Sequence, residues 1–152
     1  MKTTFSAIFG FFFLISILVL PANAVSSDNS SLGNDPGYKK ALELIKAERW
    51  NEALPVLLSL ERDIRDSPDV YNLLGITYRK LKDYPTSKRH YDRALALDPG
   101  HQPTLEYQGE WFIETGDLPS AKANLALLAK LCGRCHEFRD LEAAIAKAEA
   151  AR

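Results

Sequence analysis

From Gly37 onward, apolar residues recur at spacings of three and four, which predicts amphipathic helices and an all-α fold. Short turn signals separate the helical stretches: Lys82-Asp83, Pro99-Gly100 and Gly116-Asp117. The pattern also keeps a longer phase. Shifting the stretch from Tyr71 to Tyr78 forward by 34 residues lays it on Leu105 to Phe112. Small residues fall at Ala41, Gly75 and Gly109, and large ones at Leu44, Tyr78 and Phe112. Four more columns hold the same phase: Trp50, Tyr84, Leu118; Ala53, Ser87, Ala121; Leu57, Tyr91, Leu125; and Leu60, Ala94, Leu128. A fixed period of this length marks a stacked array of supersecondary units. The units fall at about 34–67, 68–101 and 102–135. A further stretch, 137–151, carries Phe138, Leu141, Ala144, Ile145 and Ala148 on one face and predicts a helix that caps the array. The expected architecture is seven helices, three hairpins and a cap, over residues 37–151.

These columns resemble the tetratricopeptide repeat, whose first helix carries a bulky residue, Leu-Gly and Tyr, and whose second carries Ala, an aromatic and Ala before a closing Pro. The middle unit matches best, with Tyr71, Leu74, Gly75, Tyr78, Ser87, Tyr91, Ala94 and Pro99. The first matches least, with Gly37 at a bulky position and Arg65 in place of the closing Pro. Gly75 and Gly109 are expected to let the two helices of a hairpin approach closely, with Ala53, Ser87 and Ala121 opposite. Tyr78, Tyr91 and Phe112 are expected between hairpins. Pro68, Pro103, Pro55, Pro85 and Pro119 are expected in first helical turns, where Pro is tolerated.

The resemblance implies a non-catalytic array whose first helices line a concave, protein-binding groove. Its inward positions would be Tyr38, Leu42 and Ile45; then Asp69, Asn72, Ile76 and Arg79; then Glu106, Glu110 and Ile113. That groove is apolar at one end, mixed in the middle and acidic at the other. Some arrays of this family clamp a C-terminal carboxylate with Lys, Asn and Arg. The matching positions here hold Tyr38, Leu42, Leu73, Pro103 and Tyr107, so that clamp is not expected.

The N-terminus reads differently. Lys2 precedes a nearly continuous apolar run from Ala7 to Leu20, followed by Pro21 and Ala22-Asn23-Ala24. This is the pattern of a secretory signal peptide over residues 1–24, cleaved after Ala24, with no membrane span left afterwards. The expected location is outside the cytoplasm: the periplasm, or otherwise secreted. Residues 25–36, rich in Ser, Asn, Asp and Gly, read as a flexible tether. A net charge of −1 offers no basic field for nucleic acid. No phosphate-cradling loop, nucleophile elbow or His-Glu metal motif appears. The expected partner is a protein or peptide. A monomer is expected, and Tyr38, Leu42 and Trp50 beside the first hairpin offer a homodimer contact. His90 is expected to be solvated.

Cys132-Gly-Arg-Cys135-His136 is the segment with chemistry to explain. Read literally, C-x-x-C-H attaches haem c through Cys132 and Cys135, with His136 as ligand. A disulfide across the turn before the cap helix also fits the spacing and an oxidising compartment. A metal site on Cys132, Cys135 and His136 lacks a fourth ligand, and a redox-active pair lacks a surrounding strand pattern. The run from Gly109 to Leu118, with Leu131-Cys132, Asp140-Leu141 and Ala144-Ile145, is similar to a group of small exported bacterial tetratricopeptide proteins. In that group the second Cys is not followed by His. The resemblance therefore implies a structural pair and no cofactor, with haem as the competing reading.

Overall fold

The computed structural model describes residues 32–151. The expected signal peptide and most of the tether lie outside the described residues. Seven helices follow: α1 Pro36–Lys46, α2 Trp50–Asp63, α3 Pro68–Lys80, α4 Tyr84–Leu97, α5 Gln102–Glu114, α6 Leu118–Cys132 and α7 His136–Ala150. They pair as α1/α2, α3/α4 and α5/α6, with α7 against both α5 and α6. No strand occurs among the described residues.

Local chemistry fixes where the helices start. Asp35, Ser67, Asp83 and Asp117 each accept a hydrogen bond from the amide three residues on, at 2.8, 3.4, 3.1 and 3.1 Å. A Pro occupies one of the first two positions of α1, α3, α4, α5 and α6, where its missing N–H is not needed. Pro55 departs from expectation. Helix α2 begins at Trp50, so Pro55 lies inside the helix and deprives the Asn51 carbonyl of its usual donor. The turn within each hairpin repeats as well: Glu48, Lys82 and Gly116 all take positive φ, at 55, 66 and 87°. Two of these three left-handed positions therefore carry a side chain, a strained choice for an L-residue.

The core is continuous from Ala41, Leu44 and Leu57 through Val70, Leu74 and Tyr91. A second cluster joins Leu105, Leu118, Leu128, Leu141 and Ile145, with Phe112 packed against both. Gly75 meets the expectation for its column. A Cβ there would lie 2.5 Å from two ring carbons of Tyr91 on the partner helix. Ser87 donates to the Gly75 carbonyl at 2.7 Å, closing the same approach. Tyr91 therefore packs within its hairpin. Gly109 differs: its missing Cβ makes room for Leu141 of α7, at 2.6 Å, so the close approach there joins the third hairpin to the closing helix.

Two further expectations change. Leu32 is buried in the first core cluster, Asp35 caps α1 and Pro36 opens it, so the fold begins inside the segment read as a tether. His90 is not solvated. Its side chain is only 15% exposed and its ring stacks on Tyr71 and Tyr78, with centroids 6.0 and 5.2 Å away. Burial lowers its pKa, while Glu61, 3.9 Å away, works in the opposite direction.

Candidate functional site: a groove lined by four helices

Residues three and four apart share one helix face. On α1 that face holds Tyr38, Leu42 and Ile45; on α3, Asn72, Ile76 and Arg79; on α5, Glu106, Glu110 and Ile113. Adding 34 to the last three gives Asp140, Ala144 and Lys147 on α7. The structure brings these faces side by side. One depression of about 430 Å³ is lined by Leu42, Ile45, Trp50, Leu73, Ile76 and Tyr107, among others. A second, of about 400 Å³, is lined by Ile113, Glu114, Ala144, Lys147 and Ala148. Both are bordered by Arg79, Lys80 and Glu110, so they form one trough across α1, α3, α5 and α7. The closing helix is thus a wall of the groove as well as a cap.

Burial differs along this trough. Leu42 is exposed and Ile45 partly so, leaving an apolar end open to a partner. Ile76 is buried at the floor. Arg79, read from the sequence as an inward groove position, has a side chain only 2% exposed. Its Nη2 donates to Glu110 Oε2 at 2.6 Å and its Nη1 to Glu114 Oε1 at 3.3 Å. Tyr107 lies beneath the guanidinium, with its centroid 5.9 Å from Cζ. Burial works against the Arg79 charge, but Tyr91, Glu110 and Glu114 outweigh it and raise the pKa. Arg79 is therefore a strut between α3 and α5. Tyr84 braces the same corner, donating to Glu114 at 3.2 Å and accepting at its carbonyl from Trp111 at 3.2 Å.

At the first-turn end of the trough, Asp69 does not face the groove as a free carboxylate. Its Oδ1 lies 3.2 Å from His101 Nε2, and His101 Nδ1 lies 2.7 Å from Thr104 Oγ1. Hydroxyl, imidazole and carboxylate in that order are the parts of a nucleophilic relay. Here Thr104 is fully buried, so its oxygen cannot meet a substrate, and the chain of bonds ties α3 to α5. Tyr38 sits nearby, its hydroxyl pKa pushed up to about 12 by burial and then by Asp69. Glu106 is 7% exposed, and its carboxyl is pushed up to about 8, first by burial, then by Glu110, Asp140 and Glu137, with Arg79 opposing.

The cysteine segment lies apart from the trough. Cys132 ends α6, Gly133 turns the chain at φ 68°, and Cys135 is the N-cap of α7. The Cα atoms are 5.6 Å apart and the sulfurs lie at disulfide distance. His136 is 74% exposed, its Nδ1 2.7 Å from Asp140. Haem attachment needs both thiols for thioether bonds and an apolar bed for the porphyrin. Paired sulfurs and a solvent-facing imidazole do not fit that group. Among the described residues, no cluster of three or more His, Cys, Asp and Glu is placed to hold a metal. None of the described helices is long and apolar enough to cross a membrane.

Of the inward positions read from the sequence, Leu42, Ile45, Ile76, Arg79, Glu110 and Ile113 line the two depressions, and Tyr38, Asp69, Asn72 and Glu106 are not among their lining residues. Sequence reasoning missed Trp50, Leu73 and Tyr107 as groove walls, and it missed α7. The signal for α7 was present in the continuing 34-residue register.

Comparison with known proteins agrees with this geometry. A search of curated protein sequences finds no match. The family model described as the tetratricopeptide repeat matches residues 68–101. Among solved structures, the type III secretion translocator chaperone SycD of Yersinia enterocolitica is similar at a TM-score of 0.66 and 19% identity, covering 85% of this chain and 95% of SycD. The first tetratricopeptide domain of Spaghetti (RPAP3), bound to the HSP90 peptide SRMEEVD, aligns at 0.64 and 18%, over 74% of this chain and 89% of that one. PcrH in complex with the chaperone-binding region of PopD aligns at 0.61 and 18%, over 83% and 91%. Identities at this level establish the shared fold. Residues 68–101 are thus recognised as a tetratricopeptide repeat by sequence, and the helical array around them shares the fold of these tetratricopeptide structures.

Proposed function

We propose that this chain is an exported, non-catalytic scaffold that holds a segment of a partner protein in the trough across α1, α3, α5 and α7. The observation that carries the reading is the trough itself. It spans four helices and leaves Leu42, Ile45, Trp50 and Tyr107 incompletely covered at one end. Aromatic and aliphatic side chains in a concave setting are what a peptide's apolar anchors need. The similar structures of RPAP3 with an HSP90 peptide and of SycD with a YopD peptide support a peptide-holding role for the fold. The ligand differs in kind from one gripped by its terminal carboxylate, because Tyr38, Leu42, Leu73, Pro103 and Tyr107 supply no cation or amide for that purpose.

Export rests on the charged, apolar and Ala-x-Ala pattern of residues 1–24. In that setting the Cys132–Cys135 pair acts as a structural disulfide that fixes how α7 leaves α6, and so keeps one wall of the trough in place. A single chain suffices for the site.

Site-specific photocrosslinking tests the reading. A photoreactive phenylalanine analogue at Leu42 or Ile76 should capture a partner in the native host, and the same residue at Leu127, an exposed position on α6, should not. Crosslinks from Leu127 alone would overturn it.

A further inference from the structure

The sequence puts three acids, Glu106, Glu110 and Glu114, along α5, yet the charge left free around the trough is positive. Arg79 engages both Glu110 and Glu114, and Lys82 lies 4.0 Å from Glu114, so these two carboxylates are balanced. Glu106 lines neither depression. Its carboxyl, pushed up to about 8 first by burial and then by Glu110, stays protonated near neutral pH. Three lysines have no such balance. Lys46 borders the first depression, Lys147 the second, and Lys80 both. All three are exposed, and among the described residues no hydrogen bond or ion pair reaches their ammonium groups. Each stands in the last turn of its helix, α1, α3 or α7. A cation there suits the helix dipole, but its donors remain available to a ligand. Against these three, Glu48 is the one acid without a cation among the described lining residues.

We infer that the trough takes a partner segment that combines apolar residues with side-chain carboxylates, the apolar residues lying on Leu42, Ile45, Ile76 and Tyr107 and the Asp or Glu residues along the Lys46, Lys80 and Lys147 edge. This deepens the scaffold reading and rests on it. Charge complementarity selects the occupant. A purely apolar segment would fill the floor and leave the lysine edge without counter-charge. A basic segment would meet three like charges. Residues 1–24 of this chain hold one Lys and no Asp or Glu, so they do not match the edge. A nucleic-acid backbone would pair with the lysines but leave the apolar floor unfilled. Exposed ion pairs add little affinity each and act mainly on selectivity and encounter rate. The floor therefore holds the segment, and the lysines choose its sequence and register. The carboxylates belong to side chains within the segment and not to a chain terminus, in keeping with the missing clamp.

A random twelve-residue display library, panned on the full chain and on its variants, tests this. Wild type should enrich peptides that combine aliphatic or aromatic residues with Asp or Glu. Replacing the acids of one enriched peptide with Asn or Gln should weaken binding by up to about fivefold per residue, and added salt should narrow the difference. Lys80→Gln alone should weaken the acidic preference. The variant carrying Lys46→Glu, Lys80→Glu and Lys147→Glu should reverse it toward basic peptides while keeping the apolar preference. All three positions are exposed and unpaired among the described residues, so folding should survive, and a thermal melt verifies it. Equal enrichment of acidic, neutral and basic peptides, or an acidic preference that persists in the triple variant, would overturn the inference and leave the scaffold reading standing. Enrichment unchanged by Leu42→Asp, or no enrichment at all, would instead remove the trough as the binding surface, and both readings would fail. A dimer of the free chain that dissociates on Lys80→Gln would make the occupant a second copy, which also overturns the inference.

Discussion

Gly75→Ala is the sharpest perturbation of the packing argument. In an isolated helix the change helps, by about 1 kcal/mol, because Ala is the better helix former. In this fold the new Cβ would lie 2.5 Å from Cδ1 and Cε1 of Tyr91 and 3.0 Å from its Cγ. Ordinary carbon contacts begin at about 3.5 Å, so the ring or the helix must shift by about 1 Å. Tyr91 is fully buried, and the clash falls on the body of the ring, which cannot swing aside as a flexible tip would. Any separation of α3 from α4 also stretches the 2.7 Å bond from Ser87 to the Gly75 carbonyl. Overpacking costs about 1–3 kcal/mol, and a clash on the body of a buried ring falls in the upper part of that range, about 2–3 kcal/mol, above the propensity gain. The expected net loss is about 1–2 kcal/mol, or a fall in Tm of several degrees for a domain of this size. Urea unfolding followed through Trp50 and Trp111 measures it. A variant as stable as wild type, or more stable, would refute the claim that this column exists for close helix approach.

Three other perturbations follow from different parts of the structure. Glu48→Gly, at φ 55° in an exposed turn, should stabilise the chain by about 0.5–1 kcal/mol, because relief of left-handed strain outweighs the added freedom of the unfolded chain; thermal melting checks it. Cys132→Ser with Cys135→Ser should lower stability by up to about 2 kcal/mol for so short a loop, with hydrogen exchange rising first in α7. Glu106 carries a pKa raised to about 8, so the native state binds a proton that the unfolded state has released above its ordinary carboxyl range. Its contribution is therefore full below about pH 4.5 and declines as pH rises toward 8, at no more than about 1.4 kcal/mol per pH unit. Glu106→Gln should flatten that slope in denaturant titrations run across the interval.

What was legible in the sequence was what hairpin packing demands locally. Ala41, Gly75 and Gly109 stand out because a helix pair in contact leaves no room for larger side chains, and their spacing sets the whole register. Asp35, Ser67, Asp83 and Asp117 announce helix starts because short oxygen side chains reach the free amides. The site was legible as a set of inward positions but not as an environment. Asn72, Arg79 and Glu106 are polar, and polar residues on a helix face usually read as solvated. Their burial depends on how closely the next helix follows, and that is set by the stacking of whole hairpins. Gly109 shows the same gap: its neighbour is Leu141 of α7 and not its own hairpin partner. His90 reads as surface until Tyr71 and Tyr78, seven residues apart on one face of α3, are seen to stack on it. The paired Cys132 and Cys135 were readable as a spacing, while His136 suggested a haem that its exposure and the paired sulfurs do not fit.

The most direct test of the account is a backbone amide chemical-shift map of the chain titrated with a peptide from the partner segment captured by crosslinking at Leu42. The expected shifts cluster on Leu42, Ile45, Ile76, Tyr107 and Ala144, drawing from all four wall helices. Shifts confined to the exposed Leu127–Leu131 face of α6, with the trough unchanged, would contradict it.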